Sequence, residues 1–238
     1  MQYYNRFKVM QAIMARSPIN SQEVLVDVNR KAVFKALKRS KGGIPRPIQF
    51  TNAPIEESNL AKMPSRDKAY LYQLCRQVQE EPLRVIPELL ALQKQYPKVP
   101  AIANYLCLSY MHSQQEELYF ATLMEARERF PEYLFGKIGL AEYYLNHQEH
   151  TQVPKTLEKK YEIWQHCPNV EVFHVSEVRS FFSVVGTYFA RCNQIARALY
   201  HYCMLVDIAP DHHATKRVGD EIILKELNKV TQRFSKRA

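Results

Sequence analysis

Helical spacing of the apolar residues, a scarcity of glycine and a recurring apolar-proline punctuation predict an all-α protein. The chain has 238 residues, 46% of them hydrophobic, and 6 glycines. So few glycines argue against a turn-dense sheet fold or a glycine-built phosphate loop. The length and apolar content suit one large domain or a short repeat array with a continuous core. The punctuation consists of Tyr96-Pro97, Phe130-Pro131, Cys167-Pro168 and Ala209-Pro210, each after an amphipathic run, with prolines 34, 37 and 42 residues apart. Such a period predicts helical hairpins too thin to close a core singly, which stack to do so.

The first segment, 1–43, reads as a basic helical extension. Tyr3, Phe7, Met10 and Met14 form one helical stripe ended by Ser17-Pro18. A basic amphipathic start of this kind suits a targeting segment, a membrane-surface helix or a helix docked on its own protein, and the aromatic residues favour docking. Asn20 answered by Glu23 starts a second run, which Gly42-Gly43 stops. Val26, Val33 and Leu37 face inward in that run, and its first turn also fits a short strand. Its other side carries Arg30, Lys31, Lys35, Lys38, Arg39 and Lys41. These six make either a solvated face or a patch for phosphate or an acidic partner. The next segment, 44–63, begins with a proline-containing stretch without period and is expected to be a linker or extended strap.

The repeats occupy 64–210. Counting back 24 residues from Pro131 and Pro210 reaches Cys107 and Gly186, both small; counting back 21 reaches Tyr110 and Phe189, both aromatic. On the following helix, Leu89, Leu123 and Tyr202 stand eight before their prolines, and Leu92, Ala126 and Leu205 stand five before. This spacing resembles the tetratricopeptide repeat (TPR) family, whose small residue on the first helix admits the second. The resemblance implies an α-solenoid. The unit 134–168 keeps Leu140, Ala141 and Tyr144, and its second helix is expected to begin late, near Pro154. Unit 66–97 departs furthest, with Gln73 where the small residue belongs; 169–178 is an insertion. Segment 211–238 carries Ile223, Leu227, Val230 and Phe234 in one stripe, as a capping helix with a basic tail requires.

In TPR proteins the first helix of each pair lines a concave groove, and the resemblance places Tyr70, Leu74, Asn104, Leu108, Met111, Phe135, Ile138, Glu142, Leu145 and Arg191 there. This lining is mostly apolar and requires a cover. Either a partner's segment or the chain's own residues 1–63 supply it. Family members that clamp a carboxylate use basic residues and Asn, and only Asn104 and Arg191 come close, so that ligand is not expected.

Charge is uneven along the chain. Residues 1–63 hold 11 basic against 4 acidic side chains, and 211–238 hold 7 against 4, so the middle is nearly neutral although the whole carries +9. Nucleic acid is therefore a second partner class, met through the two ends. The cysteines, 5 without a CxxC pair, read as buried thiols of a cytoplasmic or other reducing compartment. No apolar run approaches a membrane span.

Chemical motifs are weak. Gly136-Lys137-Ile138-Gly139 lacks the rest of a phosphate loop, His147 and His150 lack zinc-hydrolase order, and Asp211-His212-His213 diverge on a helix. His201 and Cys203 lack nucleophile-base spacing. Trp164 and Tyr161 are accounted for by packing. The expectation is a non-enzymatic interaction module, an adaptor, assembly factor or chaperone, with no catalytic residues, metal or cofactor, a protein or peptide partner, and no oligomeric state specified.

Overall fold

The computed structural model describes Leu25, residues 28–39, 47–54 and 57–235. Among these the architecture is predominantly helical, with one short parallel strand pair. The helices are α1 (Arg30–Arg39), α2 (Ser58–Ala61), α3 (Ser65–Gln77), α4 (Pro82–Gln95), α5 (Pro100–His112) and α6 (Glu116–Arg129). They continue as α7 (Leu134–Asn146), α8 (Val153–Thr156), α9 (Val175–Arg191), α10 (Ile195–Ile208) and α11 (His213–Ser235). Strand β1 (Gln49–Thr51) pairs in parallel with β2 (Val172–His174), aligning Phe50 with Phe173.

From α3 to α8 successive helices pack on one another, α9 packs on α7 and α10, and α11 lies across both α9 and α10. Three helices, α4, α6 and α10, are each 14 residues long and each begin fifteen residues before a punctuating proline. The proline fixes the stop, because the preceding residue is pushed toward extended conformations. At the other end of the hairpins, α5, α7 and α9 stop through one mechanism. Gln114, Gln148 and Asn193 adopt left-handed φ of 58°, 62° and 60°. The next amide reaches back to the third carbonyl from the helix end, Gln115 to Tyr110, Glu149 to Tyr144 and Gln194 to Phe189, at 2.8–2.9 Å. This is the Schellman arrangement, which satisfies carbonyls that a helix end leaves open.

The core has two parts that meet at α7. Leu71, Leu74, Val85, Leu89, Ile102, Leu106 and Leu123 bury the first hairpins, with Leu140 of α7 joining them. The rest of α7, with Ile138, Ala141 and Leu145, belongs to the second part together with α9, α10 and Ile222 and Ile223 of α11. Across the α6–α7 junction Phe120 stacks on Tyr143 at 4.6 Å.

Three sequence expectations change. The second helix of unit 134–168 begins at Val153, beside Pro154 as expected, yet ends after 4 residues. Glu158 and Lys159 both take left-handed φ, 53° and 56°, and Glu158 is held by Lys160 at 2.7 Å, Arg127 at 3.0 Å and the buried Lys137 at 3.1 Å. The run expected to be continuous over 20–43 breaks at residues 28–29, because Asn29 Oδ1 accepts from the Ala32 amide at 3.0 Å and caps α1. The strap 44–63 and the insertion 169–178 supply the paired strands and the start of α9. Asn20, Glu23, Val26, Lys41 and residues 1–24 lie outside the described residues, as do the side chains of Arg39, Val230 and Phe234.

Candidate partner-binding faces

The ten residues expected to line a groove divide into three sets. Leu74, Ile138 and Leu145 are 2%, 3% and 0% exposed and belong to the core, so they present nothing to a partner. The register of α3 and the covering of α7 by α9 and the α8 segment turn these side chains inward. Glu142 and Arg191 are engaged by the C-terminal helix. Arg217 of α11 pairs with Glu142 and donates to Asn146 Oδ1 at 2.9 Å. Arg191 Nε donates to Glu221 Oε1 at 2.8 Å, and its Nη1 reaches the Leu145 carbonyl. The third set stays accessible. Met111 is exposed and Tyr70, Asn104, Leu108 and Phe135 are half-buried.

Asn104, Leu108 and Met111 share one side of α5, at spacings of four and three. Beside them Cys75 of α3 hydrogen-bonds Tyr105 of α5, and burial pushes the Tyr105 phenol up. On the first-helix side α11 thus covers α9 and engages Glu142 and Asn146 of α7, while Tyr70, the α5 residues and Phe135 keep part of their surface open. The sequence singled out neither Arg217 nor Glu221, whose contacts on α7 and α9 are remote in the chain.

The basic set also divides. Arg30 donates two hydrogen bonds to Asp207 of α10, at 2.7 and 2.8 Å, and this pairing raises the guanidinium pKa. Phe34 sets its edge on Tyr200 at 5.8 Å, while Leu25, Val33 and Leu37 join the second core. α1 thus packs on α10, whereas β1 pairs with β2 beside α9. Lys31, Lys35 and Lys38 remain exposed.

The other candidate groups have structural settings. His147 stacks on Tyr143 at 4.0 Å with Nε2 3.3 Å from Glu116. His150 sits in a separate 3-10 turn, its pKa lowered by burial. His212 Nδ1 accepts from the Ala214 amide at 3.1 Å at the start of α11. His201 is 2% exposed, and burial holds its pKa down to about 3. All five cysteines are free, and burial pushes the Cys107 and Cys203 thiols up to about 12 and about 11. Among the described residues no cluster of three or more His, Cys, Asp or Glu is placed to hold a metal, and no helix is long and apolar enough to cross a membrane.

The outer sides of the second helices carry residues that the sequence reading passed over. Leu83 and Leu90 on α4, and Leu118 and Met124 on α6, are 67%, 38%, 47% and 44% exposed. Their signal was present as apolar residues off the inward stripe. No family model matches the chain, and neither a curated protein nor a solved structure matches it.

Proposed function

We propose that the chain is a non-enzymatic protein-interaction module, an adaptor, assembly factor or chaperone built on a TPR-like stack of hairpins. Its partner segment lies on the first-helix side of α3 and α5, where Tyr70, Asn104, Leu108 and Met111 stand. The observation that carries this reading is an asymmetry along one face. At α7 and α9 its polar residues are engaged by α11, Glu142 by Arg217 and Arg191 by Glu221, whereas at α5 Met111 is 36% exposed beside half-buried Leu108. Tyr70 is of a residue type in which binding energy concentrates, and half-open apolar neighbours such as Leu108 and Met111 exclude water around an incoming segment. Three hairpins with equal second helices give the rigid spacing that such a face needs.

The test compares the wild-type chain with a Leu108→Gln plus Met111→Glu variant by quantitative affinity purification and mass spectrometry. The variant's thermal melt is recorded alongside. A set of partners lost at an unchanged melt supports the reading; an unchanged set overturns it. A second reading follows from Lys31, Lys35 and Lys38, exposed on α1 although Arg30 is engaged. Three phosphate contacts predict a salt slope of roughly −2 to −3 in log K against log salt. RNA or DNA binding that is insensitive to charge reversal at these lysines removes that reading.

A further inference from the structure

Helices α4 and α6 are built to one register. Both are 14 residues long, both begin fifteen residues before a punctuating proline, and both turn the same three positions inward: Val85, Leu89 and Leu92 on α4, Tyr119, Leu123 and Ala126 on α6. The positions 14, 10, 7 and 3 before the proline, at spacings of four, three and four, make the opposite stripe. On α4 these are Leu83, Pro87, Leu90 and Lys94, and on α6 they are Glu117, Ala121, Met124 and Glu128, all of them exposed. Both helices pack on α5 and feed one core, so both stripes look away from it.

The molecule itself shows what closes such a stripe. On α10 the last three of these positions hold Tyr200, Cys203 and Asp207, and α1 packs there, setting Phe34 on Tyr200 and donating from Arg30 to Asp207. Tyr200 and Cys203 are buried. The cover is thus a helix that brings an apolar contact to the middle of the stripe and an opposite charge to the position three before the proline. On α4 and α6 that position holds Lys94 and Glu128, exposed and without an ion pair among the described residues. Each helix carries the charge that the other lacks.

We propose that the outer stripes of α4 and α6 are a self-association face, on which a second copy of the chain, related by a two-fold axis running along the helices, lays its α6 on α4 and its α4 on α6. Such an axis keeps the helices parallel and the heights matched. Lys94 of each copy then meets Glu128 of the other, Leu90 meets Met124, and Pro87 lies against the small Ala121. At the far end Leu83 meets Leu118, which is exposed beside Glu117. An axis across the helices would turn each one onto its own copy with its sense reversed, and Lys94 would no longer reach Glu128. Two helices of this length are about 21 Å long and together about 20 Å wide, a footprint on the order of 400 Å² per copy, which lies at the low end of specific interfaces. The dimer is therefore reversible, with a Kd in the micromolar range. It leaves Tyr70, Leu108 and Met111 on the first-helix side free, so it and the proposed partner site can fail separately.

The test is sedimentation velocity on the full chain from low to high micromolar concentration. The expected result is a monomer–dimer equilibrium with no larger species. Glu128→Lys should weaken the dimer by about tenfold, the scale of two exposed ion pairs turned repulsive, and Lys94→Glu in that background should restore it. Leu90→Glu combined with Met124→Glu should leave only monomer, with thermal melts equal to the wild type's for all variants. A chain that is monomeric at every concentration, whether its face is bare or covered by residues of the same chain, overturns the proposal. So does an open series of oligomers, a dimer indifferent to these substitutions, or a dimer that the charge exchange fails to restore.

Discussion

Gly186 shows how one absent methyl group sets a helix separation. A Cβ there would stand 2.9 Å from Val218 Cγ1 of α11 and 3.1 Å from His201 Cβ of α10. Both neighbours sit in the core and cannot withdraw far. Gly186→Ala is expected to lower stability by about 1–3 kcal/mol despite alanine's better helix propensity. Gly139→Ala is the control, since its nearest neighbour is the end of the Leu123 side chain, which can rotate. Urea unfolding of both variants checks this, and an equal loss at the two sites would contradict it.

Nearby, burial pushes the Glu162 carboxyl up to about 7, with Arg197 partly offsetting the rise. Its ordinary value is 4.5, so the folded state binds the proton more tightly than the unfolded chain. This group therefore weakens the fold increasingly as pH climbs from 4.5 toward 7, and the penalty is complete above that range. His201 acts in the opposite sense. Its neutral ring is favoured by burial, and the associated stability is present above 6.5 and lost as pH falls toward about 3. Glu162→Gln is expected to raise the urea midpoint at pH 8 while changing it little at pH 4.5.

At the scale of the element, the hairpin turns carry a removable strain. Gln114 and Gln148 hold left-handed φ that costs a side-chain-bearing residue about 1–2 kcal/mol, whereas Asn193 tolerates the same geometry better. Gln114→Gly combined with Gln148→Gly should therefore stabilise the chain by about 1 kcal/mol or more after the added backbone entropy is subtracted, and Asn193→Gly by less. Differential scanning calorimetry of the three forms decides it, and a fall in Tm for the double variant would count against the assignment.

The prolines made the helix ends legible from residue order because they act on their immediate neighbours. The shortness of α8 was not legible. No glycine or proline marks Glu158 and Lys159, and the turn there is held by Lys137 and Arg127, which lie in other elements. The same holds for α1, whose inward residues Val33 and Leu37 followed from periodicity while its partner helix did not.

At the scale of the whole molecule, the sequence could say that helices carry apolar sides and not which of those sides would be covered. Leu74 and Leu108 look alike as apolar residues of first helices, yet one is sealed at 2% exposure and the other half-buried. Glu142 and Arg191 read as groove residues until α11 is laid over them. By itself the sequence determined the helical class and where α4, α6 and α10 stop, because 3.6-residue periodicity and proline act within a few residues. Tertiary structure alone decided which faces remain open. Burial depends on partners brought from far along the chain, such as Arg30 and Asp207, 177 positions apart, or Glu142 and Arg217, 75 apart, and no local pattern records that meeting.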